Sequence, residues 1–434
     1  MKRTLALLLA CSLSLPVLYS CANGAPADES VPMCDGSTSL PPSQPWLHAD
    51  KLSINPASSE TVNEVLASFG LELLQKTREE DKKSTLISPL SVALALSMTA
   101  NGADGNTLTQ FQEVLGGGVD LEELNAACAQ LMQDYQNLNG STKFTIANSL
   151  WKDIQGDIYQ DFVSKCRGYY SAQVYEAELS DQRIVDDLNT WVSKKTDKLI
   201  PCIIDQPFGE NTALLLVNAL YLKNKWLNEF DPLNTQEMAF NHMYDDTSRM
   251  EFLQFFETDL SYIQDKGAQG VVLPYDDGRL AFVAIMPDLY PDSPGLGTWL
   301  ASLEKGDLSQ LIDSRVETLF LRFAMPKFEA EWRGQLEEIL PALGLEDTFA
   351  RGTANFSKMG DSEYGYYISQ VIHAAKIEVN EKGTEAAAAT VVAAAAGAAP
   401  LTPPEGITLV LDRPFLYGII DLDTGVPLFL GTYE

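Results

Sequence analysis

The sequence predicts an α+β fold in which a single domain is built around large β-sheets. Apolar residues at helical spacing dominate the first half of the chain, whereas runs typical of β-strands dominate the second half. Helices and strands that are segregated along the chain indicate α+β rather than alternating α/β architecture. With 434 residues and 45% hydrophobic content, the chain is long enough to bury a large core. No internal repeat is present.

The helices are predicted from periodicity and from capping residues. Residues 60–77 carry apolar positions at helical spacing. Ser88 and Pro89 open a nearly all-apolar segment, which suits a buried helix with proline in its first turn. Shorter helices are predicted over residues 104–115, 120–136, 157–168 and 181–197.

The strands are predicted from runs of apolar, aromatic and β-branched residues. Several of these runs are apolar on both faces, which is typical of strands that are covered on both sides. The predicted strands are residues 143–151, 212–226, 249–256, 270–275, 280–287, 316–329, 407–412, 414–422 and 426–433.

The charge balance is strongly acidic. The chain has 30 basic and 60 acidic residues, a net charge of −30. This charge argues against binding of nucleic acid and against adhesion to anionic lipid, because both partners are negative. A solvating surface is the simplest interpretation, and attraction of basic partners is the alternative.

The N-terminus has the pattern of a processed export signal. Lys2 and Arg3 precede an apolar run that leads to Cys21, as in a bacterial lipoprotein signal whose cysteine is lipidated. Tyr19 is unusual at its position in such signals, so ordinary secretion is the alternative. We therefore expect residues 1–20 to be a signal, residues 21–58 a flexible tether, and residues 59–434 the folded domain. No other run is long enough to span a membrane, so we expect an exported protein that is lipid-anchored at the cell surface or secreted.

The cysteines and histidines indicate neither a metal site nor an enzyme. Cys34 lies in the tether, and the spacings of Cys128, Cys166 and Cys202 fit no metal motif, so free thiols are expected in the domain. An exported protein also permits disulfides, whose pairing the sequence leaves open. The histidines, His48, His242 and His373, fall in no catalytic or metal motif. We expect no catalytic residues, no cofactor and no bound metal.

Residues 381–399 are rich in alanine, have almost no bulk and carry no charge after Glu385. Alanine favours a helix, which Thr384 could cap. As an extended strand, the segment would place small or β-branched residues on the face that holds Thr384 and would leave Glu385 on the opposite face. The residues alone leave helix and strand open.

Eight segments, in the family's order, make the chain resemble the serpins. They are STLISPLSVALALSMTANGADGNTLTQFQEVL, NALYLKNKW, LAFVAIMPD, RFAMPKFEAEW, LGLEDTF, ANFSKM, HAAKIEVNEKGTEAAAAT and DRPFLYGIIDLDTGVPLFLGTY. The resemblance covers the chain from about residue 58. It implies a single α+β domain with three β-sheets, eight or nine helices and an exposed reactive loop, here residues 381–404.

The resemblance assigns the alanine-rich segment to the hinge of the reactive loop. Inhibitory serpins bait a serine or cysteine protease with this loop, which inserts as a new strand into the main sheet after the acyl-enzyme forms. Small inward residues permit that insertion, so suicide inhibition of serine proteases by a monomer is the favoured function. The alternative is a non-inhibitory serpin whose long loop is cleaved as a substrate. The hinge residues are Glu381, Gly383, Thr384, Glu385, Ala386, Ala388 and Thr390.

The resemblance also implies a gate region, where the main sheet first opens. Trp226 resembles the tryptophan at this point, and Glu381 resembles the acidic residue near it. Trp226 as a plain core aromatic is the alternative. Asn218 and His373 match positions packed around the opening and are predicted to be structural.

The cleaved bond is predicted less sharply than the hinge. The family's spacing from Gly383 gives a cut at Gly397–Ala398, whereas spacing from the C-terminal strands gives a cut near Pro403, so the loop is long. Small side chains before the cut suit elastase-like or subtilisin-like proteases, and the acidic chain suits basic host enzymes. The favoured cut lies within residues Ala396, Gly397, Ala398 and Ala399. The second choice is the bond between Leu401 and Thr402.

Overall fold

A computed structural model describes residues 52–81, 84–154, 157–209, 212, 214–242, 246–288, 295–361, 365–384 and 406–434. Its α-helices are α1 (Glu60–Asp81), α2 (Pro89–Ala100), α3 (Gly105–Gly116), α4 (Leu121–Gln136), α5 (Gln160–Tyr170), α6 (Arg183–Lys195), α7 (Leu296–Ala301), α8 (Asp307–Asp313) and α9 (Glu346–Phe349). Short 3₁₀ turns cover Pro232–Asn234 and Leu340–Leu343.

The strands fall mostly in the second half of the chain, as the sequence predicts. They are β1 (Leu86–Ile87), β2 (Lys143–Asp153), β3 (Asp157–Ile158), β4 (Gln173–Ala177), β5 (Leu214–Lys225), β6 (Gln236–Asn241), β7 (Thr247–Asp265), β8 (Ala268–Pro274), β9 (Leu280–Pro287), β10 (Val316–Pro326), β11 (Phe328–Gln335), β12 (Gly360–Asp361), β13 (Ile372–Asn380), β14 (Gly383–Thr384), β15 (Ile407–Val410), β16 (Phe415–Asp421) and β17 (Pro427–Tyr433).

The strands of the described ranges form three sheets. Along the six-stranded sheet the order is β11-β13-β14-β5-β2-β4, and β12 pairs with β3 in a two-stranded sheet. The nine-stranded sheet follows β1-β17-β16-β9-β8-β7-β10-β15, with β6 paired to β7. Nine α-helices and three sheets in these ranges confirm the predicted α+β fold. All of these elements belong to one compact unit, Thr38–Glu434.

Helix α2 lies at the centre of the core. The side chain of Ser88 accepts a hydrogen bond from the backbone N–H of Ser91, and Pro89 occupies the first turn, so the N-terminus is capped as predicted. All of its residues except Ala95 are buried. Within the described residues, no helix is both long and apolar enough to cross a bilayer.

Two predictions are corrected by the fold. Residues 316–329 form two strands in different sheets, because the chain turns at Lys327 between β10 and β11. The expectation of free thiols holds for Cys128 and Cys166, which are buried. It is wrong for Cys202, which is disulfide-bonded. The predicted signal and most of the predicted tether, with Cys21, Cys34 and His48, lie outside the described residues.

Candidate functional site: the hinge and a cleft in the six-stranded sheet

The start of the alanine-rich segment lies inside the six-stranded sheet. Strand β14 consists of Gly383 and Thr384, and it pairs with β13 on one side and with β5 on the other. Gly383 has φ +152°, and a Cβ atom there would lie 2.0 Å from the carbonyl oxygen of Asn224. A side chain at this position would therefore collide with β5, so only glycine lets the chain enter the sheet here.

Thr384 points into the core. Its side chain is 2% exposed, and its hydroxyl lies 2.5 Å from the hydroxyl of Tyr275. Burial raises the pKa of Tyr275 far above its ordinary value, so its hydroxyl remains protonated. The Tyr275 ring stacks on Trp226, with 4.9 Å between ring centroids and 6° between planes. Thr384 therefore presents its hydroxyl to a buried hydroxyl partner beside a stacked aromatic pair.

Trp226 holds the turn that precedes Gly383. Its indole Nε1–H donates to the carbonyl of Asn380 at 2.8 Å, and its backbone N–H donates to the carbonyl of Lys382 at 3.0 Å. The ring is buried and packs edge-to-face against Phe230 at 6.0 Å. The indole therefore acts as a fixed donor at the end of the sheet, which a plain core aromatic would not require.

Glu381 is anchored by polar contacts on the other side of this turn. Its Oε1 accepts from the hydroxyl of Thr235 at 3.0 Å and from Nζ of Lys327 at 3.2 Å. Burial opposes ionisation of Glu381, but hydrogen bonds from its own backbone, Thr235 and Lys327 outweigh burial, so its pKa is lowered. Lys327 also lies 3.4 Å from Oε2 of Glu251. The turn before Gly383 is therefore held by the ion pair of Glu381 with Lys327 as well as by the backbone pairing of β14.

A cleft lies below the hinge, further along the gap between β5 and β13 that β14 enters. Its volume is about 490 Å³. One wall is residues 214–218 of β5, and the other is residues 365–373, which lead into β13. Residues of α2 line it from the core side, and Leu188 of α6 also lines it. Among the described strands, no pairing joins β5 directly to β13.

Polar groups close the upper end of the cleft. The hydroxyl of Ser91 donates to Oδ1 of Asn218, whose amide donates to Oδ1 of Asn148 at 2.6 Å. His373 accepts through Nε2 from the backbone N–H of Ser88 at 2.9 Å. Burial lowers the pKa of His373 to about 4, so the ring is neutral near pH 7.

His373 is therefore a structural acceptor rather than a catalytic base. The hydroxyl of Ser88 donates to the carbonyl of Leu428 at 2.7 Å instead of to the imidazole. His242 is elsewhere, between the carbonyl of Glu434 and the hydroxyl of Ser248. No group of three or more His, Cys, Asp or Glu residues in the described ranges could hold a metal ion.

The structure brings together the described members of the predicted site. Trp226, Glu381, Gly383 and Thr384 meet at one end of the six-stranded sheet, and Asn218 and His373 line the cleft below. Other predicted members lie outside the described residues, namely Glu385, Ala386, Ala388, Thr390, Ala396, Gly397, Ala398, Ala399, Leu401 and Thr402. Sequence reasoning missed the partners Tyr275, Thr235, Lys327, Ser91 and Asn148, because no local motif marks them.

Comparison with known proteins agrees with this architecture. Residues 64–434 match the model of the family described as "Serpin (serine protease inhibitor)". The chain belongs to the serpin family.

Its relatives include proteins named as protease inhibitors. Serpin B6 of Macaca fascicularis is 30% identical over 390 residues, which cover 86% of this chain and 99% of the relative. The leukocyte elastase inhibitor of Xenopus tropicalis is 30% identical over 387 residues, covering 86% and 99%. The crystal structure of tengpin, a thermophilic serpin, in the native state superposes with a TM-score of 0.79 at 33% identity, covering 89% of this chain and 97% of tengpin.

Proposed function

We propose that this protein is a suicide-substrate inhibitor of serine proteases and not an enzyme. A protease would cleave the reactive loop, and the loop would insert into the six-stranded sheet before the acyl-enzyme is hydrolysed. One observation carries the proposal: Gly383 and Thr384 are already paired between β13 and β5, and further along, between the same two strands, lies a cleft that no described strand fills. The gap thus has the form of a site for one more strand.

The register of β14 indicates how the inserted loop would sit. Thr384 faces Asn224, so an antiparallel continuation would set residue 390 opposite Asn218 and His373. Even-numbered residues would face the core, as Thr384 does. Thr390 would then reach the polar groups at the upper end of the cleft. The intervening inward residues are alanines, which the packed core can accept without displacement.

The same register bears on the cleaved bond. Residue 394 would lie opposite Leu214, where β5 begins, and residues 396 and 397 opposite Tyr367 and Tyr366 beside the cleft. A cut within residues 396–399 would therefore fill the gap and leave little slack. A cut after Leu401 adds four residues, roughly 13 Å of strand, beyond residue 397. We favour the first cut, with Leu401–Thr402 second.

The proposed targets are elastase-like or subtilisin-like serine proteases. Alanine and glycine before the favoured bond suit shallow specificity pockets, and the relative from Xenopus tropicalis is named as an elastase inhibitor. The net charge of −30 would speed association with basic proteases at low salt. An association rate that does not change with salt would contradict this electrostatic contribution.

Incubation of the full chain with pancreatic elastase or subtilisin tests the proposal. We expect an SDS-stable complex and release of a C-terminal peptide whose mass identifies the bond. The alternative is a non-inhibitory serpin cleaved as a substrate, and the length of the loop favours it. In that case no complex forms with any protease tested, and the cleaved protein gains no thermal stability.

We also propose that the protein is exported and lipid-anchored through Cys21. The basic and apolar residues before Cys21 support this proposal. Expression of the full chain in a bacterium, with wild type and Cys21→Ser compared, tests it. We expect the wild type in the membrane fraction and the variant in the soluble exported fraction. If both proteins are found in the soluble exported fraction, ordinary secretion is favoured.

A further inference from the structure

The lining of the cleft below the hinge contains no Asp, Glu, Lys or Arg among the described residues. In the whole chain, by contrast, 21% of the residues are charged. The cleft volume of about 490 Å³ falls in the range of about 300–1,000 Å³ that is typical of small-molecule sites. An ionised molecule would lose its hydration in such a cleft without gaining an ion pair. The lining therefore favours an uncharged ligand.

His373 brings a hydrogen-bond donor to this lining. Its side chain is 5% exposed, and its Nε2 accepts from the backbone N–H of Ser88. Because the ring is neutral and Nε2 is the accepting nitrogen, its proton is on Nδ1. Nδ1 has no acceptor in the part of the chain that the structure describes. A buried donor without a partner costs free energy, so its position at a cleft indicates an acceptor supplied by a ligand.

Asn218 adds a second donor at the same end of the cleft. Asn218 and His373 are both held by the first turn of α2, through Ser91 and Ser88 respectively. The amide group of Asn218 has two N–H bonds, and one of them donates to Oδ1 of Asn148 at 2.6 Å. The other N–H has no acceptor within the described ranges. Since Oδ1 of Asn218 already accepts from Ser91, this end of the cleft presents donors to a ligand.

The rest of the cleft is long and mainly apolar. Its β5 wall runs from Leu214 to Asn218, which is roughly 13 Å of strand. On the core side, Ala95 is the one residue of α2 that is not buried, and it lines the cleft. Leu188 of α6 lines the cleft as well. These walls suit a narrow apolar body whose polar end lies at Asn218 and His373.

We propose that the cleft of the uncleaved protein binds an uncharged, narrow, apolar molecule with a carbonyl oxygen at one end, such as a medium-chain ketone or ester. The oxygen would accept from Nδ1–H of His373 and from the second N–H of Asn218, and the apolar body would lie along β5 and over Ala95. This inference goes beyond the proposed protease inhibition, because binding requires neither a protease nor cleavage of the chain.

Isothermal titration calorimetry of the uncleaved full chain with 2-nonanone tests the site. We expect saturable binding of the ketone, and about tenfold weaker binding of nonanoate at pH 7, because its charged end would be buried without a cation. Ala95→Leu would fill part of the cleft and should weaken binding of the ketone about tenfold. Ala301→Leu, the same change at an exposed residue of α7, is the matched control and should bind the ketone like wild type.

His373→Phe tests the role of the imidazole donor. This variant should bind 2-nonanone severalfold more weakly than wild type, because the ketone loses a hydrogen bond. A melting scan shows whether the variant is folded. If it is not, the ¹³C-labelled carbonyl of the ketone bound to wild type reports the same contact, since accepted hydrogen bonds should move its NMR signal downfield of its position in hexane.

Several outcomes would overturn the inference. Without saturable binding of 2-nonanone, or with equal binding by Ala95→Leu and wild type, the cleft is not the site. Nonanoate that binds as tightly as the ketone would contradict an uncharged ligand, and a carbonyl signal at its position in hexane would exclude the donors. Each of these results would leave the proposed inhibition intact, because the SDS-stable complex with elastase is measured without the ketone.

Discussion

The two ends of the gap in the six-stranded sheet differ in how completely they are filled. At the hinge end, made of Trp226, Tyr275, Glu381, Gly383 and Thr384, stacked rings and hydrogen bonds fix the entering chain. At the cleft end, below Asn218 and His373, a volume of about 490 Å³ remains between strands that are not paired with each other in the described ranges.

The free energy for the proposed inhibition would come from the cleft end. Protein interiors are close-packed, so a cleft of this size forgoes contacts that a further strand would make. An inserted strand would also gain hydrogen bonds along both edges. In the proposed mechanism, the hinge end would set the register of that strand, and burial of the strand in the cleft would supply the driving force.

We expect the greatest loss of inhibition from Thr384→Arg, which disrupts the hinge end. A guanidinium at a site that is 2% exposed would have to be buried against the stacked rings of Trp226 and Tyr275. We expect loss of the SDS-stable complex with elastase, with the loop still cleaved. Thr384→Ser, which keeps the hydroxyl that faces Tyr275, is the control and should still trap protease. Trapping by the arginine variant would mean that the loop does not enter at this register.

A second, smaller effect is expected from the length of chain that is available to insert into the cleft. Ala398→Arg and Leu401→Arg each create a trypsin site, at bonds three residues apart. Cutting at the later bond adds about 10 Å of extended chain, which would slacken the pull on the trapped protease. We therefore expect Leu401→Arg to have a several-fold higher stoichiometry of inhibition with trypsin, which is the number of inhibitor molecules consumed for each protease molecule trapped. Mass spectrometry of the released peptide confirms each bond. Equal stoichiometries would show that the length of the gap does not limit trapping.

A smaller effect concerns the pH response of the cleft end. The pKa of His373 is about 4 in the folded chain and 6.5 as its ordinary value, so between these values the unfolded chain binds a proton that the folded chain does not. Stability therefore falls as the pH is lowered through this window, by on the order of 2 kcal/mol between pH 6.5 and 5. We expect His373→Gln to lose less stability over this range in denaturant titrations. Parallel pH dependence of the two proteins would exclude His373 as the cause.

The smallest effect concerns the anchor at the hinge end. Glu381→Gln removes the charge that Lys327 meets at 3.2 Å, and we expect a loss of about 1 kcal/mol, measured as a lower Tm at pH 7. Because the pKa of Glu381 is lowered on folding, this stabilisation is present above its ordinary value of 4.5 and disappears as the pH falls below it. Wild type and variant should therefore converge at low pH. Glu251→Gln, which removes a more exposed partner of Lys327, should have less effect.

Much of the fold could be predicted because short stretches of sequence mark where its helices and strands begin and end. Ser88 and Pro89 mark the start of α2, and long apolar runs mark β5 and β9 close to their observed ends. The split between β10 and β11 could not be predicted, since both flanks of Lys327 have strand-like composition and only sheet pairing separates them. The disulfide at Cys202 was missed for a similar reason, because thiol spacing along the chain does not report spatial distance.

The α+β fold, the family resemblance and the small residues that follow Gly383 could be read from the amino-acid sequence, because these depend on local composition and spacing. The contact of Thr384 with Tyr275, and the anchoring of Glu381 by Lys327 and Thr235, become visible only in the folded chain. Each of these contacts joins residues that are far apart in the chain. Only the pairing of strands brings them within bonding distance, and no local pattern encodes which partners will meet.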